Sequence, residues 1–240
     1  MNILERIRWV LRAWRYRLKV EKNEIQFLIE NLKEGQVAVD IGAHKGAYSY
    51  WMSKCVGKEG KVFSFEPQPI LYKKLKDLIQ NSKKENINLQ SLAFSSFVGE
   101  RNLILPNGKT SPSASIEKKV ELNDSKIEIK TTTLDDFFYI DNNIKVDYLK
   151  CDVEGHELAV LENGKLFFQF HRPIVAVETE VRHCGKDKVL QLFSFFKNNN
   201  YLGYFHNGKK MVSIDNFSIY DYQLDPQKKI YINNFFFLPN

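Results

Sequence analysis

The 240-residue chain has no long hydrophobic run and few cysteines. No apolar stretch reaches the roughly 20 residues that a bilayer-spanning helix needs. Its three cysteines, none in a Cys-x-x-Cys pair, argue against a disulfide framework or a zinc site. Arginines interrupt the start of the chain, which therefore lacks the apolar block of a secretory signal. These absences predict a cytoplasmic globular protein, with peripheral contact to the inner face of a membrane as an open alternative.

The positive charge is concentrated at one end of the chain. Residues 1–22 contain five arginines and two lysines against two glutamates. Apolar residues recur there at intervals of three and four, which predicts a basic amphipathic helix within an extension over residues 1–34. The helix could pack Trp14 and its neighbours on the body, or residues 1–20 could contact a membrane surface. The apolar positions are Ile3, Ile7, Val10, Leu11, Trp14 and Leu18.

Residues 35–240 alternate short β-branched runs with helical patterns, which predicts one α/β domain. The expected strands cover 36–41, 61–65, 87–94, 147–152, 173–178, 202–206 and 230–238. The expected helices after the extension cover 47–55, 70–81, 157–168 and 189–198. Residues 99–130 lack a helical period and predict a hairpin or a mobile loop. The order of elements predicts a mostly parallel seven-stranded sheet that ends in an antiparallel pair of strands.

Polar residues end the first two predicted strands, where ligands bind in sheets of this kind. Asp40 precedes a turn with Gly42 and Gly46, in which His44 stands where a dinucleotide fingerprint would have its central glycine. An acid at that place repels a pyrophosphate but attracts an ammonium group. Glu66 follows about 20 residues later, a spacing suited to ribose hydroxyls. The pattern favours a positively charged nucleoside cofactor such as S-adenosylmethionine.

Four motifs in this order resemble the FkbM family of S-adenosylmethionine-dependent methyltransferases. They are VDIGAHKG at 39–46, FEPQP at 65–69, TLDDF at 133–137 and LKCDVEGHE at 149–157. The resemblance implies a Rossmann-like class I fold and O-methylation of a hydroxyl on a sugar, glycolipid or related small molecule. It also implies that Asp40, Gly42, Gly46 and Glu66 bind the cofactor, with Ala93 and Phe94 near its adenine. His44 is placed with the cofactor-binding residues by its position in the turn, although it departs from the glycine usual in such enzymes.

Methyl transfer to a hydroxyl needs a base close to the reacting oxygen. Asp152, Glu154 and His156 follow the fourth predicted strand and Glu178 ends the fifth, so all four are catalytic candidates, and Asp152 also faces the cofactor. The unperturbed pKa of histidine suits a base near neutral pH. Alternatively, Asp152, Glu154 and Glu178 could hold a divalent cation, and Glu154 could simply cap the next helix. Residues 108–116 could form a lid or a surface loop.

Two other functions fit parts of the sequence. The isoelectric point of about 9.0 would suit an RNA methyltransferase, although the charge lies far from the predicted cleft, so the nucleic-acid signal is weak. A non-catalytic nucleoside-binding protein that docks through its basic helix is the other alternative. The expected partner of the enzyme is a hydroxyl-bearing glycan or small-molecule acceptor.

Overall fold

The computed structural model describes residues 3–141 and 144–240, which form helices and strands in alternation. The helices are α1 Ile3–Arg15, α2 Lys22–Asn31, α3 Ala47–Val56, α4 Pro69–Asn81, α5 Glu157–Glu162, α6 Lys165–His171, α7 Val181–Cys184 and α8 Lys186–Asn198. The strands are β1 Val37–Ile41, β2 Lys61–Phe65, β3 Ile87–Gln90, β4 Ala93–Phe94, β5 Gly99–Leu105, β6 Ser125–Thr132, β7 Tyr148–Cys151, β8 Ile174–Glu178, β9 Tyr201–His206, β10 Met211–Ser213 and β11 Asn234–Pro239.

Within the described residues, eight strands form the main sheet in the order β10-β9-β11-β8-β7-β1-β2-β3. The five strands from β8 to β3 run parallel, and β11 lies antiparallel between β8 and β9. The strand order reverses between β1 and β7, so the carboxyl ends of these two strands border the crevice in which such sheets bind ligands. The predicted α/β class is confirmed.

The predicted number of seven strands is wrong, because β10 pairs with β9 and adds an eighth strand at the edge. The predicted third strand, 87–94, is also two strands. Its first half, β3, pairs with β2, whereas Ala93 and Phe94 pair with β6 in a separate sheet ordered β4-β6-β5. The apolar residues continue across the break, although only Ile87 of β3 is buried whereas both residues of β4 are. Sequence pattern alone does not reveal which sheet each half joins.

The hairpin predicted within 99–130 is confirmed, because β5 and β6 pair antiparallel from Gly99↔Thr131 to Leu105↔Ser125. The helix predicted over 157–168 is broken between α5 and α6, where Gly164 packs against Leu134 with no room for a side chain. The segment between β9 and β11, predicted to be without helix, contains short helical turns at Ile214–Asn216 and Tyr220–Leu224.

Helix α1 packs against α3 through residues that the amphipathic pattern did not single out. Trp9 and Ala13 are buried, the Trp9 indole N–H donates to the Gly46 carbonyl at 2.9 Å, and the Trp51 indole donates to the Ala13 carbonyl at 2.8 Å. Trp14 stays 41% exposed and touches Trp51 edge to face. Of the predicted apolar stripe, Val10 and Trp14 thus contact the body, whereas Ile3, Ile7, Leu11 and Leu18 stay exposed, so the stripe is only partly packed on the domain.

No helix within residues 3–141 and 144–240 combines the length and apolar content that a membrane crossing requires.

Candidate functional site

A single cleft at the carboxyl ends of β1, β2, β7 and β8 contains most of the predicted site. About 1190 Å³ of space not filled by protein atoms lies within it, part of which is open solvent. Of the predicted site residues, Gly46 and His156 do not line it. The predicted residues that do are Asp40, Gly42, His44, Glu66, Ala93, Phe94, Asp152, Glu154 and Glu178.

The turn after β1 lies directly against the end of β7. Gly42 has a φ of +81°, and a Cβ added there would sit 1.9 Å from the Asp152 carbonyl oxygen. The main-chain N–H groups of Gly42 and Ala43 both donate to the Phe65 carbonyl, at 3.1 and 2.9 Å. Only glycine meets both the conformation and the space at this position. The turn thus holds three strand ends together at the floor of the cleft.

Gly46 closes the same turn without lining the cleft. Its φ is +72°, its carbonyl accepts the Trp9 indole, and an added Cβ would meet the Leu75 side chain at 2.5 Å. Helix α3 begins at the next residue, so the turn leads into a helix N-terminus. The positive φ of Gly46 shows its part in the turn, whereas its predicted cofactor binding stays a prediction, because its observed side-chain neighbours belong to α1 and α4.

Both carboxylate oxygens of Glu66 are held by main-chain groups. The His44 N–H donates to Oε2 and the Gln68 N–H donates to Oε1, each at 2.8 Å. Burial raises the pKa of Glu66 to about 7, although both hydrogen bonds act to lower it. The carboxylate is therefore fixed at the tip of β2 and joined to the glycine turn, where it can accept further hydrogen bonds from a ligand.

An ion-pair network connects β1 and β7 beneath the cleft. The Lys150 ammonium lies 2.9 Å from Asp152 Oδ2 and 4.0 Å from Asp40 Oδ1. Burial lowers the pKa of Lys150, but Asp152 and Asp40 outweigh burial, so the pKa is raised and the side chain is charged. Asp40 Oδ2 accepts the Ser49 hydroxyl at 2.6 Å, while its Oδ1 has no hydrogen-bond partner in the described part of the chain.

Two further carboxyl groups, Glu154 and Glu178, face the cleft with strongly perturbed acidity. Burial raises the pKa of Glu154 to about 8, with the nearby carboxylate of Asp152 adding to the shift. Burial and then Asp152 raise the pKa of Glu178 to about 10. Glu178 also accepts a hydrogen bond from the Asn233 amide at 2.5 Å. Such groups are stabilised as carboxylates by any cation that enters the cleft.

The N-terminal segment forms one wall of the cleft. Arg12, Tyr16 and Glu21 line it together with Tyr48, whose hydroxyl donates to Glu21. Burial raises the pKa of Glu21 to about 7, against the effect of that hydrogen bond. Arg12 forms no ion pair with any residue that the structure describes. The predicted extension therefore contributes directly to the site.

The loop over residues 108–116 borders the cleft opposite the glycine turn. Pro112, Ala114 and Ile116 line the cleft, and the Gln68 amide exchanges two hydrogen bonds with the main chain of Ser111, both at 3.0 Å. The Ser115 hydroxyl donates to the Glu154 carbonyl at 2.7 Å. In this structure the loop is attached to both sides of the cleft, as the lid hypothesis expects.

His156 lies behind the cleft wall, with 3% of its surface exposed. One ring nitrogen is 2.9 Å from the Ser95 hydroxyl and the other is 2.7 Å from a Glu117 carboxylate oxygen. Burial lowers the pKa of His156 against the effect of Glu117. With both ring nitrogens engaged away from the cleft, the geometry favours a positioning role rather than that of the base proposed from its pKa.

The hypothesis that Asp152, Glu154 and Glu178 hold a divalent cation gains no support from the geometry. Among the described residues, no group of three or more His, Cys, Asp or Glu side chains is arranged so that it could hold a metal ion.

Sequence reasoning missed several residues of the cleft. Lys150 belongs to the Lys-x-Asp-x-Glu-Gly motif, two residues before Asp152, so the motif could have identified it as a residue of the cleft. Gln68 belongs to the FEPQP motif. No sequence pattern indicated Arg12, Tyr16 and Glu21, because a helical period does not show that the N-terminal segment packs beside the cleft.

The glycine turn, the fixed acid after β2 and the carboxylates at the switch point define a nucleoside-binding α/β protein of the methyltransferase type. Residues 40–203 match the methyltransferase FkbM domain, which is more than half of the chain. The chain belongs to the FkbM methyltransferase family.

Among curated proteins, the chain is similar to the hexuronic acid methyltransferase AglP of Haloferax volcanii, with 29% identity over 151 residues. The match covers 62% of this chain and 59% of AglP. Two solved structures share the fold. Methyltransferase FkbM from Methylobacillus flagellatus has a TM-score of 0.55 at 13% identity, covering 99% of this chain and 55% of that one. The SMU.1697c methyltransferase of Streptococcus mutans, solved with SAH, has a TM-score of 0.52 at 11% identity, covering 90% and 95%.

Proposed function

We propose that this protein is an S-adenosylmethionine-dependent methyltransferase that methylates a hydroxyl group of a sugar, glycolipid or related small molecule. The observation that carries the proposal is the composition of the cleft: in the described residues six carboxyl groups line it, against three lysine or arginine side chains. Burial keeps several of these carboxyl groups partly protonated, and a ligand with an ammonium and a sulfonium group would stabilise their ionised form, whereas a phosphate group would not.

The residues present fit this cofactor. Glu66, fixed by two main-chain N–H groups, accepts the two ribose hydroxyls. Asp40 Oδ1, buried and without a hydrogen-bond partner in the described residues, is an acceptor for the ammonium group. Ala93 and Phe94 provide an apolar surface for the adenine. When bound, the cofactor would supply an activated methyl group.

The acceptor side is formed by Asp152, Glu154, Glu178 and the wall from the N-terminal segment. Of Glu154 and Glu178, Glu154 has the lower pKa, about 8, so it is our candidate for the base that receives the hydroxyl proton. Glu178, with a pKa of about 10, holds a proton at neutral pH and positions the acceptor by hydrogen bonding. The loop at 108–116 excludes water from the cleft.

Arg12 favours an acidic sugar among the candidate acceptors. Its guanidinium lines a cleft crowded with carboxylates, yet it pairs with none of the described residues. A sugar carboxylate would satisfy this charge through the paired hydrogen bonds that guanidinium groups form. The name of the similar AglP, a hexuronic acid methyltransferase, agrees with that acceptor class.

The test is incubation of purified protein with methyl-labelled cofactor and separate pools of neutral sugars, uronic acid glycans, glycolipids and RNA. We expect label in a sugar-containing pool, retained after mild alkali because a methyl ether resists hydrolysis and a methyl ester does not. Label in RNA alone would identify the RNA methyltransferase alternative. Cofactor binding by calorimetry without transfer to any pool would support the non-catalytic alternative.

Two matched variants locate the chemistry. Glu66→Ala is expected to weaken cofactor binding, because the acceptor of the ribose hydroxyls is removed. Glu154→Gln is expected to leave cofactor affinity within a few-fold and to lower kcat by about a hundredfold or more, the typical contribution of a general base. A Glu154→Gln enzyme with unchanged kcat would exclude Glu154 as the base.

A further inference from the structure

Helix α1 has two apolar faces on opposite sides. Trp9 and Ala13 face the body, at 1% and 0% exposure. A residue advances the helix by about 100°, so Ile7, Leu11 and Trp14 lie on the side turned away from Trp9. Their exposures are 47%, 62% and 41%. The more hydrophobic face of this helix therefore points into solvent.

Basic side chains surround the exposed face. Arg8 and Arg15 are exposed at its margin, and neither forms an ion pair with the described residues. Lys54 and Lys84 from the body share a surface groove with Ile7 and Leu11. They too have no carboxylate partner within salt-bridge distance in the described chain. The exposed patch therefore has an apolar centre from α1 and a basic margin, without ion-pair partners in the described residues, that comes from both α1 and the body of the protein.

We propose that α1 docks the protein on a membrane surface that contains anionic lipids. Ile7, Leu11 and Trp14 enter the boundary between headgroups and acyl chains, and Arg8, Arg15 and the two body lysines contact the headgroups. Apolar burial and electrostatic attraction act together in such helices. Tryptophan suits this depth because its ring is apolar and its N–H remains hydrated.

Charge decides between the lipid surface and other occupants. A symmetric contact with a second copy would place this patch against itself and bring the same arginines and lysines together, which is unfavourable. RNA would neutralise the basic margin but would leave Ile7 and Leu11 exposed to water. An anionic lipid surface satisfies the apolar centre and the basic margin at once.

The test is co-sedimentation of the full chain with vesicles of phosphatidylcholine, with and without phosphatidylglycerol. We expect binding to the anionic vesicles that weakens with added salt. Leu11→Asp should lower the partition coefficient by about tenfold or more, because a carboxylate enters the apolar centre of the patch. Leu122→Asp, at a site 99% exposed elsewhere, is the matched control and should bind like the unchanged protein.

Tryptophan fluorescence gives an independent measurement at the proposed contact. Trp9 and Trp51 are buried at 1% and 6% exposure, so lipids brominated on their acyl chains should quench chiefly Trp14. Trp14→Phe should remove most of that quenching while vesicle binding persists in weaker form.

Three results would overturn the proposal. The first is equal vesicle binding by Leu11→Asp and the unchanged protein, or no binding by either. The second is a dimer in solution that Leu11→Asp converts to a monomer, which would assign the face to a second copy. The third is salt-sensitive RNA binding that Arg8→Glu abolishes while anionic vesicles are not bound. Circular dichroism melting of each variant checks that the fold is retained.

Discussion

A single methyl group at Gly42 is the sharpest test of how the cofactor turn is built. In Gly42→Ala the new Cβ would begin 1.9 Å from the Asp152 carbonyl oxygen and would have to separate by about 1.5 Å to reach ordinary contact. Overpacking of this kind costs about 1–3 kcal/mol. The left-handed backbone adds about 1–2 kcal/mol for any residue with a side chain. We therefore expect a loss of about 2–5 kcal/mol in the free energy of unfolding.

Gly35→Ala separates the two contributions. Gly35 has a φ of +82°, nearly the same as the +81° of Gly42, but no atom lies within 4 Å of its added Cβ. This control carries the backbone strain without the clash, so it should lose only about 1–2 kcal/mol. The difference between the variants, measured by urea denaturation, isolates the contact between the turn and β7.

Cofactor affinity is the second measurement on the same pair. The turn displaced in Gly42→Ala is the one whose His44 N–H fixes Glu66, so loss of that hydrogen bond to a charged group should weaken cofactor binding by about tenfold or more. Gly35→Ala should bind normally by calorimetry. Equal stability losses in the two variants, with unchanged cofactor affinity in Gly42→Ala, would refute the close contact between the turn and Asp152.

Three further predictions concern the cleft and its wall. Binding of a cationic cofactor favours ionised Glu154 and Glu178, whose pKa values are raised to about 8 and about 10, so it should release protons and tighten from pH 7 to 9. Glu178→Gln should reduce the proton release measured by calorimetry in buffers of different ionisation heat. Arg12→Gln should raise KM for an acidic acceptor about tenfold, because a charged hydrogen bond to the acceptor is lost. It should not change cofactor affinity. His156→Phe should lower the free energy of unfolding by about 1–3 kcal/mol, because the partners of its ring become unpaired, and should leave the pH profile of kcat unchanged.

Each of these predictions has a control. Glu162→Gln, on the exposed side of α5, should release as many protons as the unchanged protein. Arg15→Gln, exposed on α1, should not alter KM; a rise equal to that of Arg12→Gln would point to a general charge effect rather than a contact in the cleft. A lost or shifted acidic limb in the kcat profile of His156→Phe would restore histidine as the base, because protonation of the base is what lowers the rate at low pH.

The sequence predicted those parts of the molecule that depend on local residue patterns, such as a short apolar strand followed by a polar residue. Asp40, Glu66 and Asp152 could be placed at one cleft because each ends a short apolar strand, and parallel strands bring their carboxyl ends to one edge. The division of 87–94 between two sheets could not be foreseen, because the partners of the two halves, β2 and β6, lie far apart in the sequence and nothing in the local pattern identifies them. The sequence left open how α1 packs, because a hydrophobic period identifies an apolar side of a helix but not what covers that side.

His156 shows the other limit of reasoning from residue type. Its position two residues from Glu154 and its ordinary pKa made it a natural base, but the chain turns at Glu154 and Gly155, both with positive φ. That turn sends the imidazole behind the wall, toward Ser95 and Glu117. Glu154 and Glu178 reach the cleft, and their acidity comes from burial and neighbouring carboxylates that only the folded chain brings together.

The hydrogen bond from the Trp9 indole to the Gly46 carbonyl makes the outermost helix a neighbour of the cofactor turn. Thermodynamic reciprocity then applies to this pair of sites. If vesicle binding changes the cofactor affinity by some factor, then cofactor binding must change the vesicle affinity by the same factor. A twofold effect in one titration and none in the other would mean that one of the two had not reached equilibrium.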